Sequence, residues 1–194
     1  SEADLSGYQM VIIPSLPILT SEQVTRIAAL DVPVLFGPRS GSKTADLQIP
    51  PELPPGALQK VLPIRVTRVA SLRPGLPDGQ SRWTEEMEAS SASDSMLENQ
   101  QDTVFKHNNT RYLSIWPSEE KLDIIFRAMG EEADLVMQSM PAGLRIRQHE
   151  GLVFAFNYGL TNFDLKDVFP SLSDEQMMIG SMTLAAAETA VWKA

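Results

Sequence analysis

Cysteine is absent from the 194-residue chain, which excludes disulfides, thiolate metal sites and cysteine nucleophiles together. Histidine is nearly absent: His107 and His149 are the only two. Neither has a partner at metal-ligand spacing, and His149-Glu150 does not open an H-E-x-x-H motif because position 153 is Val. Apolar runs are short, as in Met10 to Ile13, far below the roughly 20 residues of a membrane-spanning helix. Basic charge is sparse, with 16 Lys and Arg against 25 Asp and Glu and a net charge of −9. Nucleic-acid binding needs clustered cations, and the nearest approach to a cluster, Arg65, Arg68 and Arg73, reads as strand and loop positions. The opening SEADLSGYQM has neither the basic start nor the apolar stretch of a signal peptide.

What is present fits a globular fold. Hydrophobic residues make up 43% and charged residues 21%, an ordinary balance, and the length suits one large domain or a medium domain plus a small one. Tyr8–Ile13 reads as a buried strand, Thr20 with Gln23 as a capping box opening a helix, and Pro33–Phe36 as a second strand. That strand–helix–strand spacing predicts a parallel pair. Prolines crowd Ile49–Gly79, around a short helix near Ala57–Leu62 and a strand near Ile64–Val69. Residues 85–100, rich in Glu, Ser, Asp and Asn, read as a mobile loop. Val104–Lys106 and Tyr112–Trp116 read as strands joined by an Asn108-Asn109 turn. Ser118 then opens a helix with Leu122, Ile125, Phe126 and Met129 on one face, ended by Gly130. Beyond a boundary near Asp134–Pro141, alternation in Leu144–Gln148, a His149–Gly151 turn and Leu152–Asn157 predict an antiparallel β-module. Asp164–Phe169, Met178–Met182 and Thr189–Trp192 read as its further strands.

Candidate chemistry is thin. The loop Gly37–Thr44 follows a strand, but Ser42 precedes Lys43 where a phosphate loop requires Gly. Among carboxylate pairs, Glu85 and Glu86 are neighbours that a strand points to opposite sides. Glu119-Glu120 and Glu131-Glu132 read as solvated helix ends, while Asp164 and Asp167 fall in the small module. Ser40 lacks a G-x-S-x-G elbow. Trp83, Trp116 and Trp192 could stack on sugar rings, although core packing accounts for them more simply. No catalytic, cofactor-binding or metal-ligating residue is assigned.

Order and spacing carry a resemblance. Asp4-Leu-Ser-Gly-Tyr8 through Val11, Pro14 and Leu16 resembles the D-L-S-x-Y-x-x-V-x-x-P-x-L segment opening the second domain of family 42 β-galactosidases. Val34-Leu-Phe-Gly-Pro-Arg39-Ser-Gly41, Asp46, Pro54-Pro-Gly56-Ala-Leu58, Ile64-Arg-Val66 and Ser71-Leu72 continue it. Trp83 and Glu86 align with a W-x-E-like strand, and Arg111-Tyr-Leu113 with the strand before the last helix. Met140–Arg147 and Phe154–Tyr158 are similar to the C-terminal β-domain. The resemblance implies an α/β, glutamine-amidotransferase-like (flavodoxin-like) parallel-sheet trimerisation domain over 1–136 and a small C-terminal β-sandwich over 137–194.

It further implies a parent enzyme that hydrolyses terminal β-D-galactosyl groups with retention, through two carboxylates on a (β/α)₈ barrel. A barrel takes about 250 residues, so the 194 residues read as the non-catalytic part, which mediates homotrimer assembly. The amidotransferase relatives rely on an elbow cysteine, and this chain has none. No cofactor, nucleic acid or membrane partner is expected, and the family implies a cytoplasmic enzyme. Two other readings stay open: a free-standing carbohydrate- or protein-binding module, and a degenerate amidotransferase-like enzyme in which Ser40 or Ser42, a histidine and a carboxylate converge.

Overall fold

A computed structural model describes residues 4–71, 83–89, 96–97 and 103–194. They group into two compact units, Ser1–Met137 and Gln138–Ala194.

The first unit starts with strand β1 (Val11–Ile13), helix α1 (Ser21–Ala28) and strand β2 (Val34–Phe36). β1 and β2 pair in parallel, Val11 opposite Val34, as the spacing predicts. The Thr20 hydroxyl accepts from the Gln23 N–H at 3.2 Å, and the Gln23 side chain accepts from the Thr20 N–H at 2.9 Å. This reciprocal cap satisfies two helix-end donors. Val24 and Ile27 are buried, whereas Ala28 is exposed. β1 is shorter than the expected Tyr8–Ile13 strand and only half-buried, because it is the sheet's edge. The short helix expected near Ala57–Leu62 is a 3₁₀ turn, Gly56–Lys60.

Strands β3 (Ile64–Ser71) and β4 (Trp83–Ala89) form an antiparallel ribbon. Residues 85–89 are therefore strand, contrary to the loop expected there. Cross-strand pairs Arg65–Glu88 and Arg68–Glu86 let these polar residues line a ribbon. Apart from β5 (Met96–Leu97), the rest of that expected loop lies outside the described residues, as do Arg73, Pro74 and Pro77.

Strands β6 (Val104–His107) and β7 (Thr110–Leu113) make the expected hairpin, with Asn108 at φ 54°. The resulting sheet runs β1-β2-β7-β6-β5. Only β1, β2 and β7 are parallel, so the sheet is mixed. Alternation sends Val34, Phe36, Phe105 and Tyr112 to one face, against α1 and the Leu58–Leu62 segment. Leu35, Val104 and Leu113 face the other way, against Met129 of helix α2 (Glu119–Glu132).

Gly130 does not end α2. It lies within the helix, where an added Cβ would come 2.3 Å from Met137 Cγ. The stop comes at Asp134 (φ 53°): Asp134 N–H donates to Glu131 O and Leu135 N–H to Gly130 O, the paired bonds of a left-handed helix terminus.

The second unit holds β8 (Leu144–His149), β9 (Leu152–Asn157), β10 (Phe163–Asp164), helical turn α3 (Leu165–Val168), β11 (Met177–Ile179), β12 (Thr183–Leu184) and β13 (Thr189–Lys193). Glu150 and Gly151, both at positive φ, form the expected β8–β9 turn. An antiparallel sheet β11-β13-β9-β8 is accompanied by a β10-β12 pair. The strand expected over Asp164–Phe169 is mostly α3. Asp164 caps that turn by accepting from the Lys166 N–H at 2.9 Å, and Leu165 and Val168, three apart, both reach the core.

Candidate functional site

The loop after β2 belongs to a buried polar cluster centred on Glu85. Gly37 sits so close to β1 that a Cβ there would meet the Pro14 carbonyl oxygen at 1.7 Å. Its N–H donates to Ile13 O at 2.8 Å. Arg39 follows at φ 69°, turning its N–H onto Glu85 Oε1 at 3.0 Å. Trp83 Nε1–H donates to the same oxygen at 3.0 Å, and the Tyr112 hydroxyl donates to Glu85 Oε2 at 2.8 Å. The Arg39 guanidinium lies over one face of the Trp83 ring, 5.0 Å from its centre.

Glu85 is 4% exposed. Burial raises its carboxyl above the ordinary glutamate value, while the hydrogen bonds from Trp83, Tyr112 and Arg39 pull it partly back. Tyr112 is pushed well above the ordinary tyrosine value, by burial first and then by the neighbouring Glu85 charge. With three donors from a loop, a strand and its own strand, Glu85 works as a joint between elements. The W-x-E pair is thus Trp83 and Glu85. Glu86, aligned there from sequence, points outward to Arg68 at 3.1 Å. Residues two apart on a strand share a face, and that rule was the available signal for Glu85.

The other candidates disperse. Ser40 is buried, and its hydroxyl donates to Gly37 O at 2.8 Å and accepts from the Leu16 N–H at 3.2 Å, so it staples the loop. The Ser42 N–H closes onto Arg39 O, and Lys43 bridges to Ile18. His107 ends β6 with its Nδ1 enclosed, whereas His149 belongs to the other unit and lies exposed, 3.6 Å from Glu150. Glu119 and Glu120 are exposed in the first turn of α2, and Glu131 is exposed near its end. Glu132 instead pairs with Lys106 at 2.6 Å and with buried Arg111. Burial pushes its carboxyl up, but the bonds from Arg111 and Lys106 outweigh that and lower it. Trp192 is core, edge-on to Phe169 at 5.1 Å. Among the described residues, no three His, Asp or Glu side chains gather as metal ligands, and no helix is long and apolar enough to cross a membrane.

The first unit also carries a groove. A cavity of about 210 Å³ opens between the ends of β1, β2 and β7 and the first half of α2, lined by Ile12, Pro14, Leu35, Trp116, Leu122 and Phe126 among others. No ionisable side chain lines it. Met129 is fully buried against the sheet, whereas Leu122, Ile125 and Phe126 are only partly covered. The helix is therefore seated at its C-terminal end and stands open at its N-terminal end. Trp116 remains 40% exposed and Ile12 38% exposed.

Residues 1–136 match the family model described as the β-galactosidase trimerisation domain. The chain is 38% identical over 200 residues to a β-galactosidase of Thermus thermophilus, a match covering 98% of this chain and 30% of that protein. A second β-galactosidase, from Thermus sp, is 36% identical with the same coverage. Among solved structures, the β-galactosidase of psychrophilic Marinomonas ef1 matches 99% of this chain and 30% of its own, with a TM-score of 0.79 and 28% identity. The polyextremophilic enzyme of Halorubrum lacusprofundi matches the fold over 100% of this chain and 32% of its own, with a TM-score of 0.74 and 23% identity. The chain thus spans about 30% of the length of these two curated relatives.

Proposed function

The chain belongs to the β-galactosidase trimerisation-domain family, and from that premise we propose that it assembles a longer β-galactosidase into a homotrimer without taking part in the chemistry. The family match over residues 1–136 carries this reading. The state of the polar groups supports it: Glu85 and Ser40, the buried groups nearest to chemistry, have their hydrogen bonds spent on holding loop and strands together. In the whole protein a (β/α)₈ barrel beside these residues would hydrolyse terminal β-galactosyl groups with retention on two carboxylates. Residues 1–136 form the glutamine-amidotransferase-like (flavodoxin-like) trimerisation domain. The β1-α1-β2 start and the helices on both faces of the mixed sheet support that finer assignment. Residues 137–194 form the small C-terminal β-domain, and the enzyme is cytoplasmic.

The exposed Trp116, and in the second unit the stacked Phe154, Phe156 and exposed Tyr158, favour a free-standing carbohydrate-binding module. A sugar site also needs placed polar groups to hold hydroxyls, and the side chains around Trp116 in the groove are apolar.

Sedimentation equilibrium of the 194-residue chain tests the reading, together with a nitrophenyl β-galactoside assay. The expected result is a species of three times 21.4 kDa that releases no nitrophenol. A monomer at every concentration would sink the assembly role, and turnover that follows the chain through purification would sink the non-catalytic one.

A further inference from the structure

We propose that the cleft where β9 ends and β13 begins, in the second unit, is a binding site for a neutral oligosaccharide. The proposal goes beyond the assembly reading and does not depend on it.

The cleft measures about 390 Å³, within the range of roughly 300–1,000 Å³ typical of small-ligand sites. One wall is the turn after β9, with Tyr158 and Leu160, and the other is the approach to β13, with Ala187, Glu188 and Thr189. A single buried residue ties the walls together. Asn157, 2% exposed, donates from Nδ2 to Thr161 O at 2.8 Å and to Leu184 O at 3.0 Å, and its Oδ1 accepts from the Gly159 N–H at 2.8 Å. Its backbone closes the same joint, donating to Glu188 O and accepting from the Ala187 N–H, each at 3.0 Å. Ala187 is thereby held at φ 61°, a left-handed conformation that residues other than glycine seldom adopt. Strain maintained by so many bonds fixes the cleft's shape before any ligand arrives.

The lining selects the ligand. Alternation along β9 puts Phe154, Phe156 and Tyr158 on one face of the sheet, while Val153 and Ala155 turn to the core. The three rings follow one another at 6.5 and 6.3 Å, and the first two are nearly parallel, 8° apart. Tyr158, 75% exposed, ends the row in the cleft. Such a row offers an aromatic surface to the apolar ring faces of successive sugar units. Sugar hydroxyls both donate and accept, and they find the Glu188 carboxylate with the Thr189 and Tyr158 hydroxyls. Glu188 is held in place, its Oε2 accepting from the Ala185 N–H at 2.8 Å. No Lys or Arg lines the cleft, so a phosphate or an acidic sugar would meet Glu188 without a counter-charge. The groove beside Trp116 lacks these placed polar groups.

The test is calorimetric titration of the 194-residue chain with β-1,4-galactotetraose, cellotetraose and the anionic tetragalacturonate. At least one neutral probe should bind, and tetragalacturonate should bind at least about tenfold more weakly. Tyr158→Ala and Glu188→Gln, both at exposed positions, should each weaken the neutral probe about tenfold, with folding established by circular dichroism. Trp116→Ala, in the first unit, should bind as wild type does. The proposal is overturned by no binding of either neutral probe, by tetragalacturonate binding as tightly, or by wild-type affinity in folded Tyr158→Ala. Loss in Trp116→Ala alone would overturn it as well, moving the site to the first unit's groove. Should a cleft variant fail to fold, amide chemical shifts of the wild type decide: changes on titration should centre on residues 156–160 and 186–189, and changes elsewhere would overturn the site. None of these outcomes alters the sedimentation result, so failure here leaves the assembly reading standing.

Discussion

Glu85 and Glu132 are both tied to partners, yet their pH dependences run in opposite directions. Glu85 is raised in the folded chain, so between the ordinary glutamate value and that raised value the folded state holds more protons than the unfolded one. Its contribution therefore favours folding as pH falls through that window. Glu132 is lowered, so its contribution is present above the ordinary value and is lost as pH falls through the lowered one. Urea unfolding of Glu85→Gln and Glu132→Gln between pH 7 and pH 4 should separate the two. The deficit of Glu85→Gln relative to wild type should grow toward low pH, and that of Glu132→Gln should shrink. At neutral pH Glu85→Gln keeps its shape and an acceptor for Arg39 and Trp83. Glu85→Ala strands three donors and should cost about 3 kcal/mol. Equal costs for the two would contradict the role of Glu85 as a joint.

Helix α2 shows at element scale what a sequence reveals and what it leaves out. Its apolar stripe, its Ser118 cap, the Thr20–Gln23 box of α1 and the Asn108 and Glu150-Gly151 turns are local patterns, each readable within a few residues. The true end of α2 was hidden because Gly130 is kept for the Met137 side chain that lies over it, a contact no local rule encodes. Asp164–Phe169 failed for a related reason: apolar residues three apart in so short a segment suit a helical turn, and the Asp164 cap decides it. The joint at Glu85 depends on Arg39 and Tyr112, which meet it only through the fold. The true terminus of α2 gives a prediction of its own. Asp134 sits at φ 53°, a conformation glycine adopts without strain. Asp134→Gly should therefore raise stability by about 0.5 kcal/mol, read as a higher urea midpoint with an unchanged slope.

At the scale of the whole molecule, two compact units carry separate apolar cores. Leu184 is fully buried in the second, and Leu184→Ala should cost about 3 kcal/mol there. Hydrogen exchange followed by mass spectrometry should show β9 and β13 exchanging faster while β2 and β7 keep wild-type rates. Acceleration in β2 and β7 as well would mean that the units unfold as one. Connectivity within the first unit has a consequence in time. β2 ends at Phe36, yet its sheet neighbour β7 begins at Thr110, and pairings between distant segments form slowly because a long loop must close first. During synthesis the two three-residue strands β1 and β2 emerge long before β7. Until Leu113 leaves the ribosome, the nascent chain carries β2 with its β7 edge unpaired and Leu35 without Val104, Leu113 and Met129 to cover it, so this unit completes its fold late in its own translation.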